Sequence, residues 1–187
     1  MDCSRITDNF VGGACGAVLA GGTGTKTWIF NYDEIDRSTS TLDSDGNIST
    51  LAMLTGKKGV TFQTVENGNE AGSTFNKGTY LDSYDHTVTL RFFKDSKDAK
   101  AWINKATGAR IVVFQERKTQ SDNVIEVFGW DSGLKMSENQ YNTNFTDGVS
   151  YAPVFATDDK SKESCMPRTY LGTESALNAL CQSSSQE

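Results

Sequence analysis

The chain has 187 residues, the size of one domain with one good core, and its hydrophobic content of 36% with 22% charged residues is that of an ordinary folded globule. Its formal net charge of −6, with no basic stripe in view, argues against nonspecific nucleic-acid binding, which depends on cationic neutralisation of phosphates.

Residues 1–26 mix Gly, Ala, Thr and Cys without usable periodicity and read as a flexible small-residue arm, extended on a surface or ordered by a partner. Within it, residues 11–22 resemble the apolar centre of a signal peptide. No basic segment precedes them, Asp2 and Asp8 lie just upstream, and the run is too short to span a bilayer, so the arm is preferred and a signal peptide is the alternative. Gly21-Gly22-Thr23-Gly24-Thr25-Lys26-Thr27 approaches a phosphate-binding loop, but Thr25 and Ala20 stand where that loop needs glycine, and a strand follows rather than a helix. Cys3, Cys15, Cys165 and Cys181 sit near the ends, no pairing among them is favoured, and reduced thiols are expected.

A β-sandwich domain is expected over 27–157. Trp28, Phe30 and Tyr32 alternate as its first strand, and 33–37 is a charged connection. Asp45-Gly46 is a turn signal before a strand at 48–54, and a turn at 56–59 leads into a strand at 60–65. Asp43, Asp45 and Gly46 suggest a calcium loop, yet the glycine falls too early and no closing glutamate follows, so a hairpin turn accounts for them. Residues 66–78 read as a long polar loop with Asn67, Gly68, Asn69, Gly72, Ser73, Asn76 and Gly78, and Phe75 as its one large apolar residue. Loops of that length are uncommon in compact domains and are often functional.

The stretch 87–116 is the centre of the predicted core. Val88, Leu90 and Phe92 share one face of a strand. Asp95 and Ser96 are positioned to cap a helix over about 95–106, whose Ala99, Trp102, Ile103 and Ala106 form one stripe, and Gly108 ends it. So short a helix is marginal alone and must dock through Trp102 and Ile103, the predicted helix-docking core. Ile111, Val112, Val113 and Phe114 are apolar on both faces, as expected of a strand with the helix on one face and a second sheet on the other.

Residues 118–123 read as a turn, 124–130 as a strand, 133–137 as its short continuation and 138–148 as a second polar loop. A last strand at 149–155 is placed at a sheet edge by Pro153. Residues 158–187 read as a charged C-terminal extension with a tip at 158–163, a short helix at 175–180 and a disordered tail at 183–187. The expected fold is mainly β, a two-sheet β-sandwich or flattened barrel with one flanking α-helix.

The residue chemistry is quiet. His86 is the single histidine and no CxxC pair is present, so no metal cluster is expected. Asp82, Asp85, Glu116, Glu126 and Asp131 offer carboxylates for glycoside hydrolysis, and Tyr80, Tyr84, Trp130 and Tyr141 offer stacking faces for sugars. Acidic residues are numerous enough for a chance pair, and aromatics at strand ends are more often core or interface. The expectation is therefore no catalytic, cofactor or metal site and no enzymatic activity.

Five segments resemble a tail tube protein of tailed bacteriophages. They are Trp28-Ile29-Phe30-Asn31; Asn76-Lys77-Gly78-Thr79-Tyr80; Asp85-His86-Thr87-Val88-Thr89-Leu90-Arg91; Trp102-Ile103-Asn104-Lys105; and Val127-Phe128-Gly129-Trp130-Asp131-Ser132-Gly133-Leu134. The resemblance covers most of 27–155 in the order of elements. It implies a virion structural protein whose sandwiches join into homo-hexameric rings stacked as a hollow tube, made in the host cytoplasm. Its implied partners are itself, other tail proteins and the DNA that passes through the lumen without specific binding, with no membrane and no cofactor. The residues expected to reach neighbouring subunits are Glu66, Asn67, Gly68, Asn69, Phe75, Asn76 and Lys77. Alternative readings are another virion part, a capsid decoration or head-to-tail connector protein, and a carbohydrate-binding or glycosidase-like β-sandwich.

Overall fold

The computed structural model describes residues 10–11, 22–93, 95–118, 123–141, 148 and 151–182. In chain order the elements are β1 (Phe10–Val11), β2 (Gly22–Asn31), β3 (Thr41–Leu42), β4 (Ile48–Thr50), β5 (Val60–Gln63), β6 (Glu70–Asn76), β7 (Ser83–Thr89), α1 (Lys97–Ala106), β8 (Arg110–Lys118), β9 (Asn123–Phe128), β10 (Leu134–Tyr141), β11 (Tyr151–Thr157), β12 (Arg168–Tyr170) and α2 (Glu174–Leu180). The fold is mainly β with a flanking helix, as expected.

Strand β8 organises it. Along most of its length β8 pairs antiparallel with β2 on one side and β9 on the other, but on the β9 side its first residues, Arg110 and Ile111, pair with β10. The ladder forks there. One branch runs β1-β5-β2-β8-β9-β12-β4-β3 and the other β10-β11-β7-β6.

Side chains alternate across β8, so its two apolar faces serve two cores. Ile111 and Val113 join Ile29, Val60 and Phe62 against Val88, Leu90, Phe92 and Phe155 of the second branch. Helix α1 fills this same space. Ser96 Oγ accepts the Ala99 N–H at 3.1 Å, which starts the helix, and Ala99, Trp102, Ile103 and Ala106 are all buried on its inner stripe. The Trp102 ring lies 5.4 Å from Phe92 and 6.1 Å from Phe62. The expectation that helix and second sheet take opposite faces of β8 is corrected: both lie on one face. The other face, with Val112 and Phe114, packs on Ile35, Ile48, Leu51, Tyr170, Leu177 and Cys181, supplied by the β2–β5 connection and the C-terminal region.

That second core moves the expected domain boundaries. Strand β2 begins at Gly22 and pairs with Lys118, so residues 22–26 are sheet rather than arm, and β1 lies parallel to β5. Residues 158–182 are not an appended extension: β12 is inserted between β9 and β4, and Leu177 of α2 is fully buried. The Gln182 N–H also donates to Gly59 O at 2.9 Å. The remainder of the arm, with Cys3 and Cys15, and the tail at 183–187 lie outside the described residues.

Three local expectations also change. The long loop at 66–78 is mostly strand, because β6 pairs with β7 from Glu70↔Thr89 to Asn76↔Ser83. Its sequence shows no apolar alternation because β6 ends the second branch and buries neither face. The second polar loop starts late, since β10 continues to Tyr141, while 142–147 lie outside the described residues. Pro153 is not at an edge either. Strand β11 lies between β10 and β7, and Pro153 faces Asn139 just past the bulge between Met136 and Glu138, where a missing N–H is tolerated.

Candidate functional site

The residues expected at a subunit interface divide into a root and a tip of the β6–β7 hairpin. At the root, Asn69 is 2% exposed; its amide NH2 donates to Thr27 Oγ1 at 3.0 Å and its amide oxygen accepts the Arg91 N–H at 3.0 Å. Thr27 Oγ1 in turn donates to Gln115 Oε1 at 2.7 Å. Asn67 turns the chain at φ 57°, and a Cβ at Gly68 would meet Thr64 Oγ1 at 2.6 Å, so both small residues are there for local geometry. Glu66 pairs with Lys118 at 2.6 Å. These four residues pin β6 to β2 and β8 and are not an open surface.

The tip is the reverse. Asn76 Nδ2 donates to Asp85 Oδ2 at 2.6 Å, holding the two strands together, and Phe75 lies against the Tyr84 ring at 5.3 Å while remaining 51% exposed. Beyond Lys77 the turn presents Tyr80 at 95% and Leu81 at 84% exposure, the two barest large apolar side chains among the described residues. Tyr80 and Leu81 were not among the expected interface residues. The signal was present, since a large apolar pair flanked by Gly78 and Asp82 sits in a turn with nothing local to cover it.

A cavity of about 530 Å³ lies beside the root. One wall is four consecutive residues of β6, 70–73, which a strand can present only edge-on; the facing wall is Gln115, Arg117, Glu126 and Phe128 of β8 and β9. Met166 and Pro167 close one end.

The carboxylates considered for glycoside hydrolysis are not gathered at this cavity. Glu126 lines it and pairs with Arg117 at 2.7 Å, whereas Asp85 is in a separate groove with Lys162 at 2.6 Å and Thr157 at 3.0 Å. Asp82 caps the hairpin tip by accepting the Gly78 N–H at 3.3 Å, and Glu116 lies over Gly24. Three of the four aromatic faces are used locally: Trp130 is buried under the Arg37 guanidinium at 4.0 Å, Tyr141 stacks on Tyr151 at 5.0 Å and Tyr84 lies against Phe75, while Tyr80 is bare. Among the described residues no group of three His, Cys, Asp or Glu side chains is placed to hold a metal ion, and no helix is long and apolar enough to cross a membrane.

No protein-family model, curated protein or solved structure matches the chain.

One cluster was not anticipated. Glu163, expected at a charged tip, is 1% exposed, and its carboxylate accepts the Asp131 and Ser132 N–H groups at 2.9 and 2.8 Å and the Ser132 hydroxyl at 2.7 Å. The donors come from the tight turn between Gly129 and Gly133, both at positive φ. Asp131 binds Arg168 at 2.9 Å and the Ser164 hydroxyl, which hold its carboxyl below the usual range despite partial burial. His86 completes the cluster at 1% exposure, bonded to Cys165 O at 3.0 Å and accepting the Gly129 N–H on Nδ1 at 3.2 Å. Burial raises the thiols of both described cysteines, Cys165 and Cys181, the latter to about 12, so neither is an activated nucleophile.

Proposed function

We propose that this chain is a self-assembling virion structural protein, a subunit of the tail tube of a tailed bacteriophage, and that it works by assembly rather than catalysis. The observation that carries the reading is the β6–β7 hairpin, whose root is locked into the sandwich while its tip holds Tyr80 and Leu81 almost fully in solvent. Isolated exposed apolar residues are ordinary, but a pair at the end of a rigid arm, next to the half-exposed Phe75, is suited to burial against another chain. Strand β6 adds an edge that among the described strands pairs with β7 alone, and its residues 74–76 lie past the cavity walled by 70–73. A tip on one side and an edge on another favour a head-to-tail contact, which yields a ring where the rotation closes. Stacked rings would enclose a conduit for DNA, with the net charge of −6 keeping phosphates from sticking. The resemblance of the segments around Trp28, His86, Trp102 and Trp130 to tail tube proteins points the same way.

Negative-stain electron microscopy of the purified full chain is the test. Stacked rings or tubes are expected. A protein that stays monomeric at the highest attainable concentration overturns the reading.

A further inference from the structure

We propose that the cavity of about 530 Å³ beside the hairpin root is the seat for the hairpin tip of a second copy of this chain, which enters with Tyr80 and Leu81. The inference rests on the self-assembly proposed above and names the surface that receives the tip.

The cavity exists because the second branch of the ladder ends at β6 while the sheet facing it continues. Gln115 and Arg117 of β8 and Glu126 and Phe128 of β9 line the continuing face, which farther along carries Val113 of the first core. Ala71 and Ser73 of β6 sit opposite Val88 and His86, both buried; paired residues share a face, so Ala71 and Ser73 turn inward over the same space. Glu70, Ala71 and Gly72 on one lip and Met166 on the other are exposed, which leaves the mouth open to solvent. Ala71, Phe128, Met166 and Pro167 make part of the lining apolar. A dry apolar cavity of about 150 Å³ holds a benzene ring, so the phenol of Tyr80 and the isobutyl group of Leu81 fit together in one of this size.

The chain's own tip cannot fill it. Pairing holds β6 and β7 in register from Glu70↔Thr89 to Asn76↔Ser83, and a strand of that length sets the turn roughly 20 Å from Glu70. Charge favours a second copy as the occupant. Lys77, at the base of the tip, is exposed and forms no ion pair among the described residues, while on the cavity lip the Glu70 side chain is 65% exposed even though Arg91 reaches it. An apolar projection matched by a pocket elsewhere on the same molecule joins copies head to tail, and the contact repeats from copy to copy with no other component.

The test pairs two full-length variants, each with one half of the contact spoiled. Ala71→Trp fills the cavity from an exposed position and leaves the tip intact, whereas Tyr80→Ser with Leu81→Ser removes the tip and leaves the cavity open. Each alone is expected to need at least about a tenfold higher concentration than the wild type to form tubes in negative-stain microscopy. Mixed in equal amounts, they are expected to form small complexes containing both variants, seen by sedimentation velocity and native mass spectrometry, because the tip of the first still finds the cavity of the second. Tubes from Ala71→Trp at the wild-type concentration, or a mixture that forms no joint complex, overturn the seat and leave self-assembly standing. A wild type that stays monomeric overturns self-assembly, and the seat with it. If circular dichroism shows that Ala71→Trp does not fold, Met166→Asp at the exposed mouth takes its place in both measurements.

Discussion

At the root of the β6–β7 hairpin Asn69 is 2% exposed and its side chain bonds Thr27 of β2, Gln115 of β8 and the Arg91 N–H, whereas at the tip of the same hairpin Tyr80 is 95% exposed. Asn69 lies within the polar, glycine-rich run 66–78, and Tyr80 lies two residues beyond it. The difference teaches that a polar segment serves two ends by different means: near the sandwich its amides replace water with fixed partners, and beyond the last paired residue it carries apolar groups outward. Stability and accessibility are thus separated along one hairpin. Substitutions should separate them too.

The largest expected effect sets the scale for the buried side of that comparison. Trp102→Ala removes the anchor of α1 from the core and should cost about 3–5 kcal/mol; a denaturant melt showing a loss below about 1 kcal/mol would mean the helix is not packed as described. At the hairpin root, Asn69→Ala leaves Thr27, Gln115 and the Arg91 N–H short of partners and should cost about 1–3 kcal/mol in the same measurement. If it costs nothing, the root is no firmer than the tip.

Acid gives a smaller, graded effect. The folded His86 titrates below its ordinary 6.5 because it is buried, so as pH falls through 6.5 the unfolded chain takes up the proton first. Stability should then fall by at most about 1.4 kcal/mol per pH unit until the folded imidazole also titrates. Urea midpoints measured from pH 8 to 5 should decline below 6.5 in the wild type and decline less in His86→Gln. At the tip the effect on stability should be smallest of all. Tyr80→Ser with Leu81→Ser, or Phe75→Ala alone, should stay within about 0.5 kcal/mol of the wild type while ring or tube formation, scored by microscopy on the same samples, is lost. Normal tubes from the double variant would show that the tip is not the assembly element.

What could be read in advance follows from where each residue's partners lie in the chain. Val88, Leu90 and Phe92 announce a buried face by alternation, although β7 itself lies earlier and ends at Thr89, and Ala99, Trp102, Ile103 and Ala106 announce the helix and its buried face, because these patterns are local. Strand β6 has no such pattern, since an edge buried on neither face needs none. Tyr170 and Leu177 looked peripheral because the core they complete is built from Trp28, Val112 and Phe114, far earlier in the chain. Glu163 was unreadable for a related reason. Its charge marks a surface residue unless one knows that the turn at Asp131 and Ser132 waits with free N–H groups. Of the residues expected at an interface, Phe75 lies at the exposed end of the hairpin whereas Gly68 and Asn69 are buried at its root, since the composition of a flexible loop is also that of a tightly bonded turn.

A strand that is apolar on both faces carries no hydrophobic pattern with which to fix its own alignment. Slipping β8 by one residue past β2 would exchange Val112 for Val113 between the cores with little change in buried apolar surface. The residues that forbid the slip are polar. Gln115 receives Thr27 near one end of the shared ladder, and at the other Arg110 donates to Ser132 O with its guanidinium 3.8 Å above the Tyr32 ring. Misalignment would strand both in apolar or empty surroundings. Gln115 and Arg110 therefore act as the chain's alignment marks, and replacing both with apolar residues should yield a protein that is still compact but mixed in register.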